Sequence, residues 1–386
     1  MLPSGEMYRW SITTVRKGTR RPEVFLYQGA LQHLDFYHGK VDGWFGRKSH
    51  VTTQNFQDSV GLKADGQIGC CTADELVRQS LNAGFRPSLK RRIMALIAVY
   101  ELSITADAYG RTSKIGDNAG VNYGVMQCNR HSSVISLLTL AGRKDLAQKY
   151  RKADKFQVVP EVRDFFGSVA GIVAQNKYFD KVMWTSGKKI ADAFPGAADW
   201  GMDNVWYQRL LTMCIDTVIQ NGGMYSPNNK PFWNNLTAEE SAHPKLAELY
   251  HGKQWDKMLG EWLPYAELKK AWNALAKTES RRKTNQTLMH EYWEKAPDRQ
   301  AQLILVAQWR ARSSWSKYWK AVESRRMTDA TGEGRVNGSK LDLDNHFGIG
   351  LPDFEGPDRE EPRETFIKDV AADAIKNAKP ADPKPE

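Results

Sequence analysis

The chain has 386 residues, which is enough for two or three domains and a sizeable apolar core. Its hydrophobic fraction of 41%, its charged fraction of 26% and its 13 Trp, 14 Tyr and 14 Phe residues exclude an intrinsically disordered protein. The net charge of +10 favours an anionic partner, for which nucleic acid, an acidic membrane surface and the bacterial envelope are candidates. Because no Cys/His finger, RNA-binding strand motif or Arg-rich recognition helix accompanies this charge, we expect no nucleic-acid partner.

The four cysteines include a vicinal pair, Cys70 and Cys71, and show no CxxC spacing. We therefore predict reduced thiols, with no disulfide framework, no metal site and no cofactor. The first residues contain no apolar run of signal-peptide length, and no stretch of about 20 apolar residues follows. We expect a protein that is made in a cytoplasm and does not insert stably into a membrane.

The first 85 residues alternate short apolar groups with glycine turns, a pattern that predicts a compact unit of short helices. Two Asp-Gly pairs, at residues 42–43 and 65–66, suit tight turns because glycine accepts a positive φ and aspartate bonds its own backbone. Near the first turn, Tyr37, Trp44 and Phe45 are candidates for a platform on which sugar rings stack. The alternative is that the aromatic side chains of this unit only fill its core.

This segment resembles the peptidoglycan-binding domain of three short helices. The matching positions are Leu31-Gln32, Gly39, Val41-Asp42-Gly43, Phe45-Gly46, Phe56-Gln57, Gly61-Leu62, Asp65-Gly66, Gly69 and Thr72. The resemblance implies that residues 1–85 form a small helical module that binds peptidoglycan. One departure is Ser49, where the family usually has Thr.

A polar and basic segment, residues 86–92, follows the module, and we place a domain boundary between residues 85 and 86. Each part is expected to fold on its own. From residue 86 to residue 348 the pattern is mainly helical with one Gly-rich interruption, which predicts a larger second domain. Residues 349–386 are rich in proline and charge and predict a disordered tail. The predicted fold class is mainly α.

The segment LKRRIMALIAVYEL places apolar residues at helical spacing, and Glu101 falls in line with Ile93 and Ile97. Its carboxyl group is expected to point toward the core, where burial favours the protonated form that a glycosidase general acid needs. Taken alone, a glutamate near a helix end is more often a solvated cap or an ion-pair partner.

Further along the chain, Asp117 lies in a Gly-rich segment, residues 116–127, that predicts a small β-hairpin facing the end of the Glu101 helix. A second carboxylate opposite the acid is what acetal hydrolysis requires, because one group protonates the leaving oxygen and the other activates water or acts as the nucleophile. Asp107 is a rival for this second role, although it lacks the glycine context.

A glutamate that ends a helix and is followed by a Gly-Asp hairpin resembles the lysozyme superfamily, and within it the chitosanases of glycoside hydrolase family 46. The likeness covers about residues 90–348, and the order of the two parts resembles a bacteriophage endolysin. The resemblance implies an α-rich lysozyme-like domain with a small β-hairpin at its active site. In it, Glu101 would be the general acid and Asp117 the base that activates water.

The positions after the hairpin glycine complete the expected site. In these relatives a Thr helps to place the attacking water, and this chain has Asn122 there, which can both accept and donate hydrogen bonds. Tyr123 and Gln127 beside it are candidate substrate-binding residues.

Asp216 lies in a helix that is apolar nearly all round, so its carboxylate is expected to be buried with a partner. The resemblance implies a pair of arginines, for which Arg312 and Arg325 match best and Arg326 is a further candidate. Such a network would hold the catalytic acid in place. The alternative is a structural ion pair between helices that has no catalytic effect.

Together these features predict a monomeric phage endolysin that hydrolyses the β-1,4 glycosidic bonds of peptidoglycan as an N-acetylmuramidase. It would pass from the host cytoplasm to the cell wall through a holin. A basic chain suits an anionic wall better than it suits cationic chitosan. The alternatives are a lytic transglycosylase, which needs the glutamate but no second carboxylate, a chitosanase-like hydrolase and a non-enzymatic wall-binding protein.

Overall fold

A computed structural model describes most of the chain: residues 9–114, 120–129, 133–194, 196–202, 204–221, 299, 302–304, 306–307 and 319–350. Over these residues the protein is mainly helical, which confirms the predicted fold class. Two compact units are present, Arg9–Lys181 and Val182–Phe354. Apart from its first two residues, the expected tail lies outside the described residues. In the described ranges, no helix has the length and apolar character needed to span a bilayer.

The first unit begins with three helices, which the sequence predicted as short elements of one module. They are α1 (Pro22–His33), α2 (Arg47–Ser59) and α3 (Cys70–Asn82). A proline starts α1, where its fixed φ and missing N–H suit the first helical turn. The buried side chains of this region include Trp10, Tyr27, Phe45 and Phe56.

A buried glutamine holds each Asp-Gly turn of this module. Gln28 of α1 accepts hydrogen bonds from the backbone N–H groups of Asp42 and Gly43, both at 3.0 Å. Gln57 of α2 accepts one from Gly66 at 2.8 Å. The two glycines have φ values of +75° and +68°, as the expected tight turns require. Each turn is therefore fixed to the helical core of the module.

The next helix, α4 (Leu89–Leu102), lies in the interior of the first unit. Ser88 caps its N-terminus by accepting a hydrogen bond from the backbone N–H of Arg91. Every residue from Arg92 to Tyr100 is buried. Helix α1 packs against α4. The N-terminal module therefore buries part of the surface of α4.

A short antiparallel pair of strands follows α4, as predicted, but its first strand lies before the segment 116–127 in which the sequence placed the hairpin. Its strands are β1 (Thr112–Lys114) and β2 (Val121–Tyr123), with Ser113 opposite Asn122. The remaining elements of the first unit are α5 (Ser133–Leu140), α6 (Lys144–Lys152), α7 (Pro160–Gly167) and α8 (Val169–Tyr178), after which a π-helix (Phe179–Trp184) leads into the second unit.

The described part of the second unit contains helices and a further antiparallel hairpin. Its elements are α9 (Thr185–Ala191), a 3-10 turn (Ala197–Trp200), α10 (Val205–Asn221), α11 (Trp319–Thr331), β3 (Glu333–Val336), β4 (Ser339–Asp342) and α12 (Leu343–Phe347). Helix α10 packs against both α9 and α11. A Cβ atom at Gly187 would lie 2.4 Å from the side chain of Ile215, so the close approach of α9 to α10 depends on this glycine.

The expected domain boundary between residues 85 and 86 falls inside the first compact unit. The division of function at this point stays a prediction. Helix α1 precedes the expected boundary and helix α4 follows it, and the two helices pack against each other. This packing argues against the expectation that each part folds on its own.

Deletion of residues 1–85 should destabilise the rest of the chain, because it exposes apolar side chains of α4 to water. We expect the truncated protein to unfold at a lower temperature than the full chain and to bind more of a dye that reports exposed apolar surface. Circular dichroism melting and dye fluorescence measure both effects. A truncated protein with the same melting temperature and dye binding as the full chain would contradict the expectation.

Candidate active site

Glu101 lies in the last turn of α4, and its side chain is half-buried. Burial raises the pKa of the nearby Cys128 thiol to about 12, and the negative charge of the Glu101 carboxylate adds to this rise. Cys128 is bridged to Tyr123, the last residue of β2. The carboxyl group of Glu101 therefore lies within electrostatic range of Cys128, the residue that is bridged to the end of β2.

Asp117, the candidate base, lies outside the described residues. The chain that follows it is closely constrained. Gly120 has a φ of +89°, and a Cβ atom there would lie 2.3 Å from the backbone oxygen of Lys155. The backbone N–H of Val121 donates to the same oxygen at 2.9 Å. Only glycine fits at this point, so the return of the hairpin into β2 follows one path.

Asn122 has a feature that suits a residue which places water. Its side chain is 3% exposed, and its Oδ1 atom accepts no hydrogen bond from the residues that the structure describes. An unpaired buried acceptor costs about 1–3 kcal/mol, so a water molecule or a polar group of a substrate would be favoured there. The water-placing role of Asn122 stays a prediction.

The two residues expected to bind substrate differ in their surroundings. Tyr123 is fully buried, and its hydroxyl oxygen accepts a hydrogen bond from the backbone N–H of Val159 at 2.8 Å. This placement corrects the sequence expectation, because Tyr123 packs in the core and presents no surface to a glycan. Gln127 is half-buried, donates to the carbonyl oxygen of Gly124 at 2.9 Å and accepts from the hydroxyl group of Ser113.

Asp107, the rival for the second carboxylate, is engaged in other contacts. It accepts a hydrogen bond from Arg20 at 2.5 Å and another from the backbone N–H of Gly110 at 2.9 Å. A carboxylate held by an arginine and a backbone N–H group has little freedom to approach a water molecule. The contacts of Asp107 therefore indicate a structural role.

The expected aromatic platform is reduced to one residue. Trp44 is 45% exposed beside its turn, whereas Tyr37 is 4% exposed and Phe45 is buried. The Tyr37 hydroxyl group donates to the carbonyl oxygen of Lys40 at 2.8 Å, so this ring serves the core and the turn. Trp44 remains the candidate for stacking on sugar rings, and Tyr37 and Phe45 do not.

In the second unit, the buried Asp216 of α10 forms ion pairs with two arginines of α11. Arg325 donates from Nε to Asp216 at 3.2 Å and makes a second, shorter contact with it. Arg326 also contacts Asp216 and donates to Gln220 at 2.7 Å. The expected pairing with Arg325 is present, Arg326 takes the further place, and Arg312 lies outside the described residues. The role of the network in holding the acid stays a prediction.

The second unit also has an open cleft of about 500 Å³. Its lining includes Trp184, Lys188, Lys189 and Asp192. Lys188 pairs with Asp192 at 2.6 Å. An aromatic ring beside two cationic groups is a combination that suits an anionic sugar.

Sequence reasoning missed two kinds of residue. Gln28 was not identified, and Gln57 was identified only as a position that matches the family, although a helix glutamine followed by an Asp-Gly pair occurs twice in the module and this repetition was a usable signal. Arg20 and Arg21 also escaped notice. Their partners include residues more than 80 positions away, and nothing in the local sequence marks such a contact.

Comparison with known proteins identifies one segment. Residues 20–76 match the family model of a peptidoglycan binding domain. The spore cortex-lytic enzyme of Oceanobacillus iheyensis is 38% identical over 73 residues, which are 19% of this chain and 26% of that protein. The spore cortex-lytic enzyme of Bacillus subtilis is 35% identical over 72 residues, 18% of this chain and 24% of that protein. The chain thus spans about a quarter of the length of these curated relatives.

Replacement of Asp216 by Asn should lower the free energy of unfolding by about 3–5 kcal/mol, because it removes a buried negative charge that two buried guanidinium groups contact. Urea unfolding monitored by circular dichroism measures the change. Asp344→Asn is the matched control, since the Asp344 side chain is 44% exposed in its pair with Arg209 and should contribute less than about 1 kcal/mol. Equal effects of the two substitutions would argue against a buried network.

Proposed function

We propose that this chain is a peptidoglycan hydrolase in which the N-terminal module binds the cell wall and Glu101 is the general acid that cleaves its glycan strands. One observation carries the proposal. Glu101 is half-buried at the end of a buried helix that a hairpin follows in the chain, in the same compact unit as the segment that matches a peptidoglycan-binding family. The net charge of +10 supports it, because electrostatic attraction concentrates a basic protein on an anionic wall.

In the proposed reaction, Glu101 donates a proton to the glycosidic oxygen as the bond from that oxygen to the anomeric carbon breaks. Asp117 takes a proton from a water molecule, whose oxygen attacks the anomeric carbon from the opposite face and inverts its configuration. The buried oxygen of Asn122 accepts the second hydrogen of this water and orients it. The arrangement requires carboxyl groups about 6.5–9.5 Å apart.

The finer assignment that we propose is a monomeric N-acetylmuramidase of the phage endolysin type. It rests on the combination of a wall-binding module with a lysozyme-like glutamate and hairpin. Such an enzyme accumulates in the host cytoplasm and reaches its substrate when a holin opens the membrane.

Glu101→Gln should reduce the rate of wall lysis by roughly 10²–10⁴-fold, because the amide keeps the shape of the side chain and cannot donate the catalytic proton. Asp117→Asn should be severely impaired as well. Glu161→Gln, in an exposed glutamate of α7, is the matched control and should lyse walls at the normal rate. Turbidity loss of purified walls measures the rates, and circular dichroism verifies the fold of each variant.

Mass spectrometry of the released fragments separates the proposed reaction from a transglycosylase reaction. Hydrolysis gives reducing ends that carry the oxygen of water. Anhydro-sugar products together with an active Asp117→Asn variant would replace hydrolysis by transglycosylation, with Glu101 as both acid and base.

Trp44→Ala should weaken retention on purified sacculi by about tenfold, or about 1.4 kcal/mol, if its exposed ring stacks on the glycan. Phe156→Ala is the control, because Phe156 is also 45% exposed and lies in the first unit outside the module. Co-sedimentation with sacculi gives both affinities. Equal retention of the two variants would remove Trp44 from the binding surface.

A further inference from the structure

A short segment of the module, residues 18–21 and here called the linking segment, pairs with the turn that carries Trp44. Phe45 donates a backbone hydrogen bond to Thr19 at 2.8 Å and accepts one from Gly18 at 2.9 Å. Trp44 takes part in an antiparallel bridge with the same segment. The candidate wall-contacting aromatic is therefore fixed to the linking segment by main-chain hydrogen bonds.

The other side of the linking segment pairs with residues 103–110, here called the acid loop because it directly follows the helix of Glu101. Arg20 donates a backbone hydrogen bond to Ala106 and accepts one from Ala108, each at 2.9 Å. A parallel bridge results. One short segment thus contacts both the wall-binding turn and the loop that follows the candidate acid.

The side chain of Arg20 strengthens the contact with the acid loop. One terminal nitrogen donates to Asp107 at 2.5 Å, and the other donates to the carbonyl oxygen of Gly167 at the end of α7 at 2.7 Å. Asp107 in turn accepts the backbone N–H of Gly110, which closes the loop on itself. Arg20 therefore anchors the acid loop through the carboxylate of Asp107.

The side chain of Arg21 holds the beginning of the same loop. It is 1% exposed, pairs with the fully buried Glu23 at 2.7 Å and donates to the carbonyl oxygens of Ser103 at 3.1 Å and Thr105 at 2.6 Å. Backbone carbonyl groups near the end of a helix need partners outside it, and a cation there is favourable. Arg21 supplies such a partner to Ser103, two residues from Glu101, and a further one to Thr105, four residues from it.

We propose that Arg20 and Arg21 are positioning residues for Glu101, so that the wall-binding module forms part of the active-site framework as well as attaching the enzyme to its substrate. The inference rests on the proposed function of Glu101. A displacement of about 1 Å in a catalytic group can cost about 10²-fold in rate, so an acid loop without its two arginines should lower the rate of cleavage even when the wall remains bound.

The test uses the full chain with single substitutions. Arg20→Met removes both side-chain contacts of Arg20 at a partly exposed position. Arg21→Lys keeps a positive charge beside the buried Glu23 but loses the forked geometry that reaches two carbonyl groups. Arg9→Met is the matched control, because Arg9 forms a similar pair with Asp74 of α3 at 2.5 Å and neither residue belongs to the acid loop. Each protein is assayed on soluble glycan fragments for kcat and KM, on sacculi for retention and by thermal melting for stability.

We expect Arg20→Met and Arg21→Lys to lower kcat at least tenfold, with KM and retention within twofold of the parent protein. Arg20→Lys should recover part of the loss. Arg9→Met should keep the parent kcat even if it lowers the melting temperature as much as Arg20→Met does. A normal kcat in both acid-loop variants would overturn the positioning role, as would a loss that Arg9→Met reproduces at equal stability. The proposed function fails separately, if Glu101→Gln retains full activity.

Discussion

The first unit depends on a buried ion pair between Arg21 and Glu23. Charges removed from water are tolerated only when they are paired and their remaining hydrogen-bonding groups are used. Here the carbonyl oxygens of Ser103 and Thr105 take up N–H groups of the arginine that Glu23 leaves unused. These hydrogen bonds form only when the start of α1 lies against the residues that follow α4. The pair therefore fixes where the helix of Glu101 ends relative to the module.

Two buried glutamines of the module are also held by hydrogen bonds that use their polar atoms. Gln28 and Gln57 are buried amides whose donors and acceptors are taken up by turns, and the turns carry glycines at positive φ. Such hydrogen bonds stabilise the fold because a buried polar group without a partner would raise its free energy. Those of Gln28 hold the turn beside Trp44 in one conformation.

Charge contributes differently inside and outside the protein. The excess of basic residues gives a long-range attraction to anionic polymers, which salt screens within about 10 Å at 0.1 M. Buried charges such as Asp216 with its two arginines act at contact distance, out of reach of that screening. The first kind of charge attracts the chain to anionic polymers, and the second sets which arrangement of helices is stable.

Sequence alone determined the helical class, the module with its two glycine turns, the helix that ends near Glu101 and the hairpin after it. These features follow from periodicity, turn chemistry and short motifs, which are local properties of the chain. Only the tertiary structure decided that Tyr37 and Tyr123 belong to the core, that Trp44 is exposed, and that Asp107 pairs with Arg20. It also decided that the module and the acid helix share one unit. Burial and pairing between residues more than 80 positions apart depend on how helices pack, and no local pattern encodes that packing.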